Sequence, residues 1–240
     1  ARQHALNVKL GLLERPIEPS VLQPLLASWR DLADRTGALT VVRSSALVED
    51  RFGSSFAGQF ESYLGLEEES ELVTAVRSCW TALWSTRALR YMATHDLDPT
   101  DTAMAVLVQP LVQARAAGGG LSQTADGTML VNATLGLGAS IAQGEVTPDR
   151  FELERDGTVR HVSPGRKDHA LSCGHRPAPM AQAVSAAQAI EPCLTREEVT
   201  RLAHMMRTAE DVLGRAVEIE WAVDEEGFTM LPARPLDMQP

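Results

Sequence analysis

A capped helix followed directly by two strands, in the last third of the chain, most restricts the fold that this sequence can adopt. Thr195 and Glu198 form a Thr-x-x-Glu capping box, which predicts that a helix begins here and runs to about Gly214. The two strands are predicted over 216–223 and 228–231, separated by a turn at Glu226-Gly227. A helix that leads into a hairpin favours the α+β class.

The rest of the chain alternates between helices and short strands. A second hairpin is predicted over 150–162, turning on Asp156-Gly157. Gly118 to Gly120 are interpreted as a glycine-rich turn. Further helices are predicted over 20–37, beginning at Ser20 and stopping at Gly37, and over 68–92, and further strands over 39–42, near Tyr63, over 103–109 and near 128–134.

The composition restricts partners more than it restricts chemistry. The chain has 240 residues, of which 44% are hydrophobic and 22% charged, as in ordinary globular domains. A net charge of -10 argues against nucleic acid and against an anionic membrane surface as partners. No run approaches the roughly 18 apolar residues that a membrane span requires. The three cysteines form no CxxC pair, which is typical of reduced thiols in a cytoplasmic protein.

Arg43 is the first residue with a candidate chemical role. It follows the predicted strand 39–42 and precedes Ser44-Ser45 and a glycine-containing loop. A guanidinium offers paired donors to a phosphate, and backbone N–H groups can approach a phosphate where side chains are small. The alternative is a polar loop with a surface arginine.

Glu218 and Glu220 form the second candidate, on the strand 216–223. Their spacing places both carboxylates on one face of the strand. If that face is buried, two carboxylates are costly without a cation, so the spacing favours a metal site. The alternative is a solvated edge strand.

A resemblance to a known family joins these candidates. The chain resembles the ATP-binding domain of the phosphoenolpyruvate synthase and pyruvate phosphate dikinase family, which includes rifampin phosphotransferase and phenylphosphate synthase. The resemblance covers about 38–236 and implies an ATP-grasp fold. Its motifs are Val42-Arg43-Ser44-Ser45-Ala46 with Glu49-Asp50, Ser55-Phe56-Ala57-Gly58-Gln59 with Tyr63-Leu64, Val106 to Val112, Leu135-Gly136-Leu137-Gly138 with Val146-Thr147-Pro148-Asp149, Glu218-Ile219-Glu220-Trp221 and Leu231-x-Ala233-Arg234-Pro235.

The resemblance assigns roles to individual residues. It implies that Arg43 and Arg234 act catalytically by converging on the triphosphate of bound ATP. Glu220, with Glu218, is implied as a ligand of Mg²⁺. The implied adenine contacts are Gln109 and the backbone of Leu111 and Val112, and Ser62 is a further candidate near the phosphates.

Several positions depart from the family pattern. Relatives have glutamine where this chain has Pro232, and glutamate where it has Ala139. They also carry a lysine after a Gly-Gly element, a context that Lys9 lacks. We therefore expect an incomplete N-terminal lobe, with residues 1–37 as its remnant or its connection and 38–240 as the ATP-grasp nucleotide-binding domain.

The family passes phosphate through a histidine on a swivelling domain, in a Thr-Ser-His context that is absent from this sequence. We therefore expect a cytoplasmic Mg-ATP-binding domain or subunit of a dikinase-type phosphotransferase. Its partners would be a phosphohistidine domain, in trans or removed, and a small-molecule acceptor. Two alternatives remain open: a degenerate ATP-grasp scaffold without turnover, and a self-contained small-molecule kinase.

Overall fold

The structure, a computed structural model, describes residues 2–47, 62–173 and 180–236. The chain divides into two compact units. Unit 1 comprises Ala1–Leu111 with Cys173–Pro179, and unit 2 comprises Val112–Ser172 with Met180–Pro240. Across the described ranges, no helix has both the length and the apolar character needed to cross a membrane.

Unit 1 contains a three-stranded antiparallel sheet in the order β2-β1-β3, with helices packed on one face. Its helices are α1 (Arg2–Glu14), α2 (Pro19–Thr36), α3 (Glu69–Ala82) and α4 (Thr86–Thr94), with a short 3-10 helix at Pro99–Asp101, and its strands are β1 (Thr40–Ala46), β2 (Ser62–Leu66) and β3 (Met104–Pro110).

The core of unit 1 forms where α2 and α3 cover the central strand. Val42 of β1 is fully buried there with Trp29 of α2 and Leu72 of α3. The Trp29 indole N–H donates to the Thr40 hydroxyl (2.9 Å), and that hydroxyl donates to the Leu66 carbonyl (3.1 Å). Burial of the indole therefore leaves no unpaired N–H, and the same bonds tie α2 to two strands.

Two helix predictions in unit 1 need correction. The helix expected from Ser20 begins at Pro19 with Glu18 as its N-cap, because a proline at the first helical position has no N–H to leave unpaired. The single helix expected over 68–92 is divided into α3 and α4. The Ser85 hydroxyl accepts a hydrogen bond from the Ala88 N–H and starts a new helix at that point. The predicted stop at Gly37 is confirmed, with φ of 61°.

Unit 2 contains a six-stranded antiparallel sheet in the order β11-β10-β4-β5-β6-β7, and a separate two-stranded sheet, β8-β9. Its strands are β4 (Ala116–Leu121), β5 (Met129–Leu135), β6 (Asp149–Leu153), β7 (Val159–Ser163), β8 (His169–Ser172), β9 (Met180–Ala183), β10 (Val217–Val223) and β11 (Phe228–Pro235), and its helices are α5 (Ala139–Ala142), α6 (Ala186–Ile190) and α7 (Arg196–Leu213).

Helix α7 packs on one face of the large sheet and encloses the core of unit 2. Leu202 and Met206 of α7 are fully buried together with Val131 of β5 and Trp221 of β10. Both ends of α7 follow the prediction: Thr195 and Glu198 form the capping box, and Gly214 ends the helix with φ of 69°.

The glycine-rich segment is the main error of the fold prediction. Gly118 to Gly120 do not form a turn but lie inside β4, between β10 and β5. The hairpins over 150–162 and 216–231 are confirmed as β6-β7 and β10-β11. The α+β class is also confirmed, because every named strand pair of the described chain is antiparallel.

Candidate functional site

The first group of predicted site residues shares one face of the unit 1 sheet. Arg43 lies in the middle of β1, not at its end as predicted, and it pairs directly with Ser62 of β2. Gln109 of β3 pairs with Val41, two residues before Arg43. Because residues that pair directly, and residues two apart, point to the same side, Arg43, Ser62 and Gln109 lie on the face opposite Val42 and the helices.

The backbone that follows β3 is partly committed to the fold. The Leu111 N–H donates to the Leu39 carbonyl (2.7 Å), and the Val112 carbonyl accepts from the Ala114 N–H (2.9 Å). The Leu111 N–H is therefore not available to a ligand, whereas the Val112 carbonyl keeps a second lone pair.

Glu49-Asp50 and Ser55 to Gln59 also belong to the predicted phosphate-binding segment. They lie outside the residues that the structure describes.

The second group lies on the face of the unit 2 sheet that is turned away from α7. Ile219 and Trp221 of β10 are buried against α7, whereas Glu218 and Glu220 are exposed on the other side. Arg234 of β11 pairs directly with Glu218, so these three charged residues share that face.

The exposure of Glu218 and Glu220 removes one reason to expect a metal site. Both side chains are exposed, so the cost of desolvating two carboxylates, on which the sequence argument depends, does not apply. Strand β10 is nevertheless not an edge strand, because it lies between β11 and β4.

Two carboxylates on one face still suit Mg²⁺, which commonly takes one or two protein carboxylates and completes its shell with phosphate oxygens and water. In the ranges that the structure describes, no group of three or more His, Cys, Asp or Glu side chains could hold a metal by itself. The residues present therefore fit an ion that arrives with a nucleotide.

Pro232 lies on β11 where the pairing with β10 is irregular. Ala233 pairs with Ile219 and Met230 with Trp221, so Leu231 and Pro232 together stand opposite Glu220. A proline has no N–H to donate to the ladder and is tolerated on an edge strand at such a bulge. The local structure thus accounts for a proline at this position.

Sequence reasoning missed a buried ion pair in unit 2. Asp149 and Lys167 are both fully buried, and the Lys167 ammonium lies 2.5 Å from Asp149 Oδ1. The carboxylate also accepts hydrogen bonds from the backbone N–H groups of Gly165 (2.7 Å) and Cys193 (2.8 Å). The two partners are 18 residues apart, and no periodic pattern links them.

Comparison with known proteins extends the resemblance over the whole chain. Residues 1–240 match the family described as pyruvate phosphate dikinase, AMP/ATP-binding domain. The chain is 35% identical over 240 residues to the prodigiosin synthesizing transferase PigC of Serratia marcescens, covering 97% of this chain and 26% of that protein.

Two further relatives are named for other activities. The chain is 31% identical to the phosphoenolpyruvate synthase of Aeropyrum pernix, covering 95% of this chain and 32% of the relative. It is 32% identical to the rifampicin phosphotransferase of Streptomyces sviceus, covering 98% of this chain and 28% of the relative. The chain thus spans no more than about a third of the length of these relatives. By its match over all 240 residues, the chain belongs to the family of pyruvate phosphate dikinase AMP/ATP-binding domains.

Proposed function

We propose that this chain binds Mg-ATP and performs the ATP-binding part of a dikinase-type phosphotransfer reaction. The match of residues 1–240 to an AMP/ATP-binding domain carries the proposal. The register of the unit 2 sheet supports it, because Glu218, Glu220 and Arg234 share one face that α7 does not cover. An ATP-grasp fold over 38–240 is part of the proposal.

Each predicted residue has a role in this function. Arg43 and Arg234 bind phosphate oxygens, and guanidinium groups stabilise the charge that develops there as a phosphoryl group leaves. Ser62 donates to a phosphate, and Gln109 with the peptide of Leu111 and Val112 reads the adenine.

Glu220, with Glu218, holds Mg²⁺, an ion that neutralises phosphate charge when it is bound.

The proposed phosphoryl transfer takes water as a second reactant. ATP, water and a histidine yield AMP, phosphate and phosphohistidine. Two phosphoanhydride bonds of ATP break, a nitrogen–phosphorus bond forms at the histidine, an oxygen–phosphorus bond forms from water, and a proton is released. We propose that this histidine belongs to a partner chain or another domain, and that a small molecule is the final acceptor. The reaction is proposed to take place in the cytoplasm.

Calorimetric titration with Mg-ATP tests the binding step. The Glu220→Gln and Arg43→Ala variants should each weaken binding by about tenfold or more, because each removes a charge-assisted contact. Glu152→Gln, on the same sheet, and Arg90→Ala, on the exposed side of α4, are matched controls that should bind as the wild type does. No binding by the wild type would refute the proposal, and binding without transfer to any histidine-bearing partner would favour the scaffold alternative.

A further inference from the structure

Three consecutive glycines occupy the middle of β4, and packing explains only two of them. A Cβ on Gly118 would lie 1.9 Å from the backbone oxygen of Asn132, and one on Gly120 would lie 2.7 Å from Met206 Sδ. The backbone therefore excludes a side chain at Gly118, and a side chain at Gly120 would displace Met206. A Cβ on Gly119 would meet its nearest neighbour, the Ile219 backbone oxygen, at 3.5 Å, which is an ordinary contact distance.

Gly119 therefore leaves a gap that the fold itself does not require. Glycine inside a strand lowers stability, and it often marks a place where a ligand approaches the backbone closely. Gly120 faces Met206 of α7, so Gly119, one residue earlier, opens onto the opposite face, which carries Glu220.

The gap lies between two oxygen-bearing side chains in one row of the sheet. Gly119 pairs with Glu220 of β10 on one side and with Asn132 of β5 on the other. Two interstrand spacings separate Glu220 from Asn132, about 9.6 Å between backbones. With no side chain on β4, the carboxylate and the amide can both reach a group placed over Gly119.

The same face carries a buried hydroxyl without a partner. Thr134 follows Asn132 by two residues and so points to the same side. It is fully buried, and its Oγ1 has no hydrogen-bond partner within the described ranges. Buried hydroxyls are normally satisfied, so Thr134 leaves a polar atom on this face that the described residues do not pair.

We propose that Asn132 is a further ligand-binding residue, and that its side-chain oxygen and the Glu220 carboxylate hold the same divalent cation of Mg-ATP over Gly119. Pro232, on the other side of Glu220, has no side-chain oxygen to offer, so Asn132 supplies the second protein oxygen of this row. The inference rests on the proposed function, because it specifies the cation site of that function.

Two variants test this role by equilibrium binding. Asn132→Leu removes the oxygen, and Gly119→Val fills the gap with a side chain that is favourable in strands. Both should weaken Mg-ATP binding by about tenfold and leave the affinity for ATP in EDTA unchanged. Asn132→Asp keeps an oxygen ligand and should bind Mg-ATP within about threefold of the wild type.

Direct measurement of the metal gives the readout that a structural role would not change. The free Mn²⁺ signal in electron paramagnetic resonance gives the apparent Mn²⁺ dissociation constant of the protein–ATP complex. This constant should rise about tenfold in Asn132→Leu and Gly119→Val and stay unchanged in the control Glu152→Gln. Gly119→Val should meanwhile raise the midpoint of thermal unfolding, so that stability and metal affinity move in opposite directions.

The outcomes separate the inference from the proposed function. If the wild type binds Mg-ATP and both variants hold Mn²⁺ as tightly as Glu152→Gln does, Asn132 and Gly119 have no such role, and the proposed function survives. The inference also fails, and the proposed function survives, if the variants lose affinity for ATP equally with and without Mg²⁺. If the wild type binds no Mg-ATP, the proposed function and this inference fall together.

Discussion

Substitution of Asp149 should show how strongly the buried ion pair stabilises unit 2. In Asp149→Asn the Lys167 ammonium keeps its place in a fully buried site but loses its counter-charge. The amide also cannot accept from the lysine and from both backbone N–H groups, of Gly165 and Cys193, as the carboxylate does.

The expected cost is about 3–5 kcal/mol in the free energy of unfolding of unit 2, as for other buried pairs that lose one partner. The matched control is Asp168→Asn. The Asp168 carboxylate pairs with Arg166 at 3.1 Å, but both side chains are more than half exposed, so this loss should cost less than about 1 kcal/mol.

Native-state hydrogen exchange measured by mass spectrometry is the suitable assay, because a chain of two units need not unfold in a single step. Peptides from β5 and β10 report the opening of the unit 2 core. A destabilisation below about 1 kcal/mol in Asp149→Asn would contradict this prediction, because a buried ammonium without a counter-charge costs more than that. The double variant Asp149→Leu with Lys167→Met should cost less than the sum of the two single changes, because it leaves no buried charge.

Three further predictions concern acid stability, an unpaired hydroxyl and thiol reactivity. Burial would raise the pKa of the Glu210 carboxyl, but hydrogen bonds from Arg155 and Ser122 outweigh it and hold that pKa below its ordinary value. This stabilisation is present above the unfolded pKa of about 4.3 and is lost as the pH falls through the folded pKa. The free energies of unfolding of the wild type and of Glu210→Gln should therefore converge on acidification. A constant difference between the two free energies as the pH falls would contradict this. Thr134→Val removes a buried hydroxyl without a partner within the described ranges. In chemical denaturation of the ligand-free protein, this change should raise the free energy of unfolding by about 1 kcal/mol. A decrease of that size would show that the hydroxyl is hydrogen-bonded. Burial, and then the nearby Asp149 carboxylate, raises the pKa of the Cys193 thiol far above its ordinary value, so iodoacetamide at pH 8 should label Cys193 much more slowly in the native than in the unfolded protein, and equal rates would be inconsistent with its surroundings.

Features set by neighbouring residues were predictable from the sequence. The capping box at Thr195 and the glycine stops at Gly37 and Gly214 lie where the sequence predicts them, because each depends on hydrogen bonds and dihedral angles within a few residues. The hairpin on Asp156-Gly157 follows for the same reason.

Features set by distant contacts were not predictable. Gly118 and Gly120 are predicted to form a turn because glycine is common in turns. The distant Asn132 backbone instead excludes a side chain at Gly118, and Met206 packs against Gly120. The common face of Arg43, Ser62 and Gln109 depends on strand register, which a single sequence does not specify. The family motifs supplied the candidate residues, and the register shows which of them share a face.

The central claim is that this chain binds ATP together with a divalent cation held on the exposed face of the unit 2 sheet. Calorimetric titration of the wild type and of Glu220→Gln with ATP, once with Mg²⁺ and once with EDTA, tests it most directly. We expect the wild type to bind ATP saturably and more tightly with Mg²⁺, and Glu220→Gln to lose about tenfold or more of the Mg²⁺-dependent affinity. An absence of binding by the wild type, or equal Mg²⁺ dependence in the two proteins, would contradict it.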